Sequence, residues 1–324
     1  ITLLFAGDTM CHKPQVVSAR IDSSYDFTGW FQHIKPIIAS ADIAFANLET
    51  TLSSTGRYSG YPRFKSPDEL AYAIYDAGFD VIVTSNNHSN DTGPNGVAHT
   101  INVLKSLGLY QTGTFKSELE KSISYPLMFE KEGLKIGLLN YTYDTNGVPT
   151  RAPAVVNLID TIAIKKDIAK AKAADPDILI SFMHWGYEYH PKPNLKQIRM
   201  TKMMLREGVD HVIGAHPHVV QPVENIDGHL VAYSLGNFIS NQRKKLTDGG
   251  IMVEMKLLKE EEGIRLLDWR SIPVWRYINR KSSYTYEIIP TKAFRSDTAH
   301  FHNVADYKAM IKFDNYIDDH LSDR

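Results

Sequence analysis

Short apolar runs that each end in a polar or glycine-containing turn and lead into a helical stretch recur along this chain, and that alternation restricts the fold most. The run at residues 1–6 ends in Gly7, Asp8 and Thr9, and the run at 43–46 in Asn47, Leu48 and Glu49. Residues 80–84 lead to Ser85, Asn86, Asn87 and His88. Residues 178–183 lead to His184, Trp185 and Gly186, and residues 210–213 to Gly214, Ala215, His216, Pro217 and His218. A further strand is expected over 136–141. Helices are expected over 31–40, 67–77 with Ser66 as N-cap, 94–107, 158–173 and 196–207. Strand alternating with helix is the pattern of an α/β sheet with helices on its faces.

The later part changes character. Strands over 230–234, 250–256, 264–270, 272–277 and 284–289 follow one another without helices, so a second, more antiparallel sheet is expected there. A polar-faced helix is expected from about residue 303 to the end. With 324 residues and 43% apolar content the chain can bury a sizeable core. Residues 1–290 are expected to form one domain and 291–324 a helical extension packed on it.

A formal net charge of -1 argues against nucleic acid as a partner, because phosphate attraction needs a basic excess. The single cysteine, Cys11, excludes an intrachain disulfide. Every apolar run falls well short of the ~18 residues of a membrane span. The chain starts at Ile1, inside a strand and without an initiator Met, which reads as a trimmed or mature fragment.

In open α/β sheets ligands gather at the carboxyl ends of the strands, and the chemistry-bearing residues sit there. Asp8, Glu49, Asn87, His184, His216 and His218 are the candidate ligands of a divalent-metal centre. Imidazole suits Zn, Mn and Fe, carboxylate suits hard ions, and an Asn carbonyl is a neutral hard ligand. This set can hold one ion or two sharing a carboxylate bridge. His216 and His218 flank a proline, which favours extended backbone before it, so both rings are expected on one side. His88 is a candidate general acid, with Asp91 orienting its ring and raising its pKa. Taken singly, each residue has an ordinary alternative: an N-cap for Asp8, a loop carboxylate for Glu49, polar turns for Asn87, His88 and the histidine pair, and a buried structural imidazole for His184. Their succession at consecutive strand ends favours the centre.

Glu188 is a candidate base, or a contact for a cationic or amide group. Asn237 is a candidate substrate contact or a brace of the rim. Arg63, Lys65 and Arg243 are candidate contacts for an anionic substrate, and Tyr58, Tyr61 and Tyr143 a candidate wall for a sugar or peptide.

The ordered motifs Gly7-Asp8-Thr9-Met10, Asn47-Leu48-Glu49, Ser85-Asn86-Asn87-His88, His184-Trp185-Gly186-Tyr187-Glu188-Tyr189, Gly214-Ala215-His216-Pro217-His218-Val219-Val220-Gln221 and Tyr233-Ser234-Leu235-Gly236-Asn237-Phe238 resemble those of the CapA/PgsA family. These are capsule or poly-γ-glutamate synthesis proteins of the calcineurin-like metallophosphatase superfamily. The resemblance implies an α/β fold, a four-layer α/β/β/α sandwich of two mixed sheets. It implies Asp8 and His218 at a first metal, Glu49 bridging where the superfamily usually has Asp, and Asn87, His184 and His216 at a second. His88 would lie by the leaving group. Met10 stands where the superfamily usually has a histidine ligand; His12 is the candidate substitute and Cys11 a weaker one.

The function so implied is a metal-dependent hydrolase of the cell envelope, using one or two Mn, Fe or Zn ions, with metal-bound hydroxide attacking a phosphoester or amide bond. The alternative is a non-catalytic envelope component that binds an anionic polymer or a capsule-synthesis membrane protein. An extracytoplasmic location is expected, with a membrane or lipid anchor in the full-length protein.

Overall fold

The strand Thr2–Thr9 shows how the layers arise. Successive side chains of a strand point to opposite faces. Leu3 and Phe5 therefore face one way and Leu4 and Ala6 the other, all fully buried. Leu3 and Phe5 join Ile43, Phe45, Val81 and Val83 against Ile136, Leu138, Ile178, Ile180 and Phe182 of another sheet. Leu4, Ala6, Ala44, Ala46 and Ile82 pack instead on helical residues such as Ile38, Leu70, Ile74 and Leu104. The far side of the second sheet, with Leu139, Tyr141, Leu179 and Val212, is covered by Ile164, Ile168, Met203 and Met204. The molecule is thus helix, sheet, sheet, helix, and each large apolar side chain buried between layers contributes about 1.5–3 kcal/mol relative to exposure.

The computed structural model describes residues 1–261, 263–281 and 284–322. In the first sheet the order is Thr285–Pro290, Gly263–Asn279, Gly249–Glu260, Thr2–Thr9, Ile43–Leu48, Val81–Val83 and Tyr110–Thr112. Asn237–Ile239 runs parallel to the end of Thr2–Thr9. In the second sheet the order is Leu127–Lys131, Leu134–Thr142, Ile178–His184, His211–Ala215, His229–Ala232 and Val223–Ile226. Both sheets are mixed: Thr2–Thr9 is parallel to Ile43–Leu48 and antiparallel to Gly249–Glu260.

Several expectations change. The late strands do not make a separate antiparallel sheet. Gly249–Glu260 pairs with Thr2–Thr9 and so extends the first sheet, while His229–Ala232 joins the second. The two strands expected over 264–277 are one, Gly263–Asn279, kept continuous by its pairing along Gly249–Glu260. The helix expected from residue 67 begins at Glu69, because Lys65–Pro67 pairs with Thr51–Ser53. The helix expected over 31–40 is reduced to Lys35–Ile38, since Pro36 fits only the first helical turn. The helix expected from 158 begins at Thr161, where the Asp160 side chain caps Ala163 N. Residues 323 and 324 of the expected terminal helix lie outside the described residues.

That terminal helix, Val304–Ser322, sets Met310, Phe313 and Ile317 into the core between the sheets. Its buried Asp314 meets Arg295, and Lys292 at 3.2 Å. No helix among the described residues is long and apolar enough to cross a membrane.

Candidate metal centre

The strand ends of both sheets converge, and a backbone irregularity aims the first of their residues. On Thr2–Thr9, alternation would place residue 8 on the helix-covered face, with Leu4 and Ala6. The register with Ile43–Leu48 skips Gly7: Ala6 pairs with Ala46 and Asp8 with Asn47. Such a bulge re-aims the side chain that follows it. A Cβ on Gly7 would stand 2.1 Å from the Gly236 carbonyl oxygen, so only glycine fits there. On Ile178–His184 no adjustment is needed, because Ile180 and Phe182 already face the other sheet and His184 continues their row.

Asn47 ties the two sheets together. Its Nδ2 donates to Asp8 Oδ1 at 2.8 Å and lies 3.3 Å from His184 Nδ1, and its Oδ1 accepts from Asn86 Nδ2 at 3.1 Å. His184 Nε2 is 2.9 Å from Asn87 Oδ1 and 3.7 Å from Glu49 Oε1. His218 Nδ1 is 3.1 Å from both Asp8 Oδ2 and Asn237 Oδ1, and its Nε2 is 3.9 Å from Glu49 Oε1. The His216 ring lies 4.8 Å from that of His184 and 5.9 Å from that of His218.

The expected extended backbone at the histidine pair is not what forms. The strand stops at Ala215, and His216 and His218 adopt φ of 98° and 58°. Left-handed conformations cost a non-glycine residue about 1–3 kcal/mol and persist where surroundings enforce them. Here His216 N donates to Asp8 Oδ2 at 3.3 Å and the Pro217 carbonyl accepts from Tyr189 N at 2.8 Å, which holds the turn.

Glu49 is the electrostatic anomaly. It is fully buried, and neither carboxylate oxygen has a hydrogen-bond partner. Burial first, and then the neighbouring Asp8 carboxylate, hold its pKa well above the carboxylate range. Burial, with the histidines around them, holds the His184 and His216 imidazoles well below their usual value. Buried His216 Nδ1 also lacks a partner. Ligand atoms of Asp8, Glu49 and His184 lie within 4.8 Å of one another, and so do those of Glu188, His216 and His218. Neutral imidazoles beside a partnerless buried carboxylate fit a divalent cation, which repays the burial of charge that nothing else here repays.

Around this centre, His88 Nδ1 is 2.7 Å from Asp91 Oδ2, and Asn146 Nδ2 lies 3.4 Å from His88 Nε2. The Phe64 ring stands edge-on to His88. Exposed Glu188 reaches the mouth, close enough to His216 and His218 to act as a ligand itself. Tyr143 packs on His216 at 4.4 Å and also lines a cavity of about 560 Å³ with Trp185, Tyr187, Lys196 and Arg199. Asn237 Nδ2 donates to Gln242 Oε1 and to the Thr247 carbonyl, both at 2.9 Å. Arg243 and Arg63 are exposed; Arg243 donates to Asn241 Oδ1 at 2.6 Å, and Arg63 adjoins Phe64. Tyr58 packs on Tyr25, and Tyr61 is exposed.

His12 belongs to neither group of ligand atoms. It starts the helix Lys13–Ser18, its N–H donates to Gln15 Oε1 at 2.8 Å, and its Nδ1 accepts from Asn241 N at 3.3 Å. Burial, opposed by Gln15 and reinforced by His218 and His88, pushes it down to about 4. The Met10 sulfur lies 3.5 Å from Ser240 Oγ, and Cys11 is a core residue whose thiol burial pushes up to about 12. Sequence reasoning missed roles for Asn47 and Asn146. Asn47 was visible only as a neighbour of Glu49, and Asn146 carries no motif.

A family model described as bacterial capsule synthesis protein PGA_cap matches residues 2–242. The chain belongs to that family. Within it, the chain is 30% identical over 242 residues to the PGA biosynthesis protein CapA of Bacillus subtilis, covering 72% of this chain and 62% of that protein. It is 27% identical over 280 residues to the capsule biosynthesis protein CapA of Bacillus anthracis, covering 83% and 66%. This PGA_cap chain therefore spans a little under two-thirds of the length of those relatives. Among solved structures, the calcineurin-like phosphoesterase YfkN from Bacillus subtilis aligns with a TM-score of 0.49 and 14% identity, covering 84% of this chain and 90% of that one.

Proposed function

We propose that this PGA_cap chain is a metal-dependent hydrolase of the cell envelope that acts on a phosphoester or amide bond during capsule or poly-γ-glutamate synthesis. The observation that carries the reading is Glu49: a fully buried carboxylate without a partner, set among His184, His218 and Asp8. Asp8, Glu49, Asn87, His184, His216 and His218 are the residues that would hold one or two Mn, Fe or Zn ions, with Glu188 as a further ligand at the mouth. Bound ions would supply Lewis acidity and a water of lowered pKa.

The chain's own groups do the rest. Asp91 Oδ2 would accept from His88 Nδ1, so Nε2 is the atom that would give a proton to the leaving oxygen when the ring is an imidazolium and would accept from Asn146 when it is neutral. Asn146 steadies that ring and Asn87 together. Tyr143 fixes the plane of His216. Lys196 and Arg199, which line the cavity beside Tyr143, and exposed Arg63 and Arg243 would supply positive charge for an anionic chain, which fits the names of the Bacillus relatives. An extracytoplasmic site is part of the same proposal.

Met10 favours the second reading, a polymer- or partner-binding component without turnover, because its buried side chain takes a histidine's usual place. Turnover of a generic phosphodiester and of a γ-glutamyl amide by the metal-loaded protein separates the two. The hydrolase reading predicts activity that falls at least about 1,000-fold in His216→Ala with the fold intact. Tight binding of an anionic polymer with no cleavage would establish the second reading.

A further inference from the structure

A separate cluster of ligand-type side chains shares no residue with the first, and two of its three members lie beyond the family match at 2–242. His33 follows the short 3-10 helix Thr28–Trp30 and precedes Lys35–Ile38. Glu287 lies on Thr285–Pro290, the edge strand of the first sheet, and His300 in the loop before Val304–Ser322. Glu287 Oε2 is 3.2 Å from His33 Nε2 and 2.9 Å from His300 Nε2. Glu287 Oε1 accepts from Asn279 Nδ2 at 2.8 Å, so the carboxylate is oriented from behind. Its side chain is 1% exposed, while His33 and His300 are 27% and 16% exposed. The carboxylate is thus the floor of the cluster and the imidazoles are its open mouth. Phe294 packs on both rings, at 5.1 and 4.8 Å, and leaves them little freedom to swing away.

One buried carboxylate needs only one imidazolium to balance it. Here two imidazoles aim the same nitrogen at the same oxygen, from segments more than 250 residues apart in sequence. In a tetrahedral site with bonds of about 2.0–2.1 Å, neighbouring ligand atoms stand roughly 3.3 Å apart. The two imidazole-to-carboxylate separations are near that edge length and all three ligand atoms lie within 4.8 Å of one another, so an ion can enter with modest shifts. Two histidines, one glutamate and a water make an ordinary zinc ligand set, and a second-sphere hydrogen bond such as that from Asn279 commonly fixes the carboxylate.

We propose that His33, Glu287 and His300 form a second divalent-metal site of the zinc class, with water as fourth ligand, which clips the edge strand and the approach to the terminal helix onto the His33 turn. The test uses the chelator-stripped full chain and zinc alone. After dialysis against micromolar zinc, wild type should retain one more zinc per chain than His300→Ala or His33→Ala. Asn279→Ala should weaken that last zinc about 10-fold. His216→Ala should keep it, which separates this site from the centre around Glu49. Crystals of wild type grown with stoichiometric zinc should show an anomalous peak among the three side chains, a result that needs no variant to fold. Equal zinc in wild type and both histidine variants, no peak at that position, or a peak only at crystal concentrations of zinc would each overturn the proposal.

Discussion

Glu49 is a fully buried carboxyl group with no hydrogen-bond partner at either oxygen, so its replacement should trade function for stability. Replacing a buried ionic group by an apolar one of similar volume is commonly neutral or stabilising. Glu49→Leu is therefore expected to raise the stability of the chelator-treated chain by about 1–2 kcal/mol in urea unfolding while abolishing metal binding at that centre. A loss of stability would mean that Glu49 is already satisfied within the protein. His211 makes a different residue-scale prediction. Burial, with His229 nearby, pushes its imidazole down to about 3, and its Nδ1 accepts the Leu230 N–H at 2.9 Å. An unfolded histidine takes up a proton near pH 6.5, whereas the folded chain holds this one neutral until about pH 3. The folded pKa is lowered, so this contribution is complete above pH 6.5, declines as pH falls, and levels off below pH 3. His211→Asn keeps an acceptor for Leu230 and should flatten stability against pH between 6 and 4 by up to about 1.4 kcal/mol per unit. Superimposable pH profiles for the two proteins would refute it.

At the scale of elements, close backbone contacts place the site. A Cβ on Gly214 would meet the Tyr233 carbonyl oxygen at 2.0 Å, just as one on Gly7 would meet that of Gly236. Gly7→Ala should push Asn237–Ile239 off the first strand, shift Asp8, and cost more than about 3 kcal/mol, read as an unfolding midpoint with parallel loss of bound metal. Phe313→Ala, deep between the sheets and with no part in the site, should cost about 3–5 kcal/mol yet leave metal binding unchanged in the folded fraction. These elements also show what the sequence could convey. The parallel strands were legible because each is a buried apolar run whose polar residues wait at its carboxyl end, as at Asp8, Glu49, Asn87 and His184. The long strand Gly263–Asn279 was expected as two, divided at Ser271, and its pairing with Gly249–Glu260 carries it through that point. The Gly7 bulge, the left-handed turn at His216, and the role of Asn146 were not legible, because each is set by contacts with distant segments.

For the whole molecule, the two sheets make one rim, and neither alone holds all the residues of the proposed centre. Asp8 lies near the end of a strand of the first sheet and Glu49 and Asn87 follow strands of it, whereas His184, His216 and His218 end or follow strands of the second. Any loss of sheet-on-sheet packing should therefore remove metal and activity together. The chain belongs to the PGA_cap family, and its Bacillus relatives are named for capsule and PGA biosynthesis; that this rim serves such synthesis, and does so as a hydrolase, is our proposal. The most direct measurement is elemental analysis of protein purified without chelator, paired with an anomalous-difference map at the absorption edge of the metal found. Mn, Fe or Zn is expected, with a peak at roughly 2.0–2.3 Å from a Glu49 oxygen and from an imidazole nitrogen of His184, His216 or His218. Protein that carries no metal, and shows no peak there after incubation with any of the three ions, would contradict it.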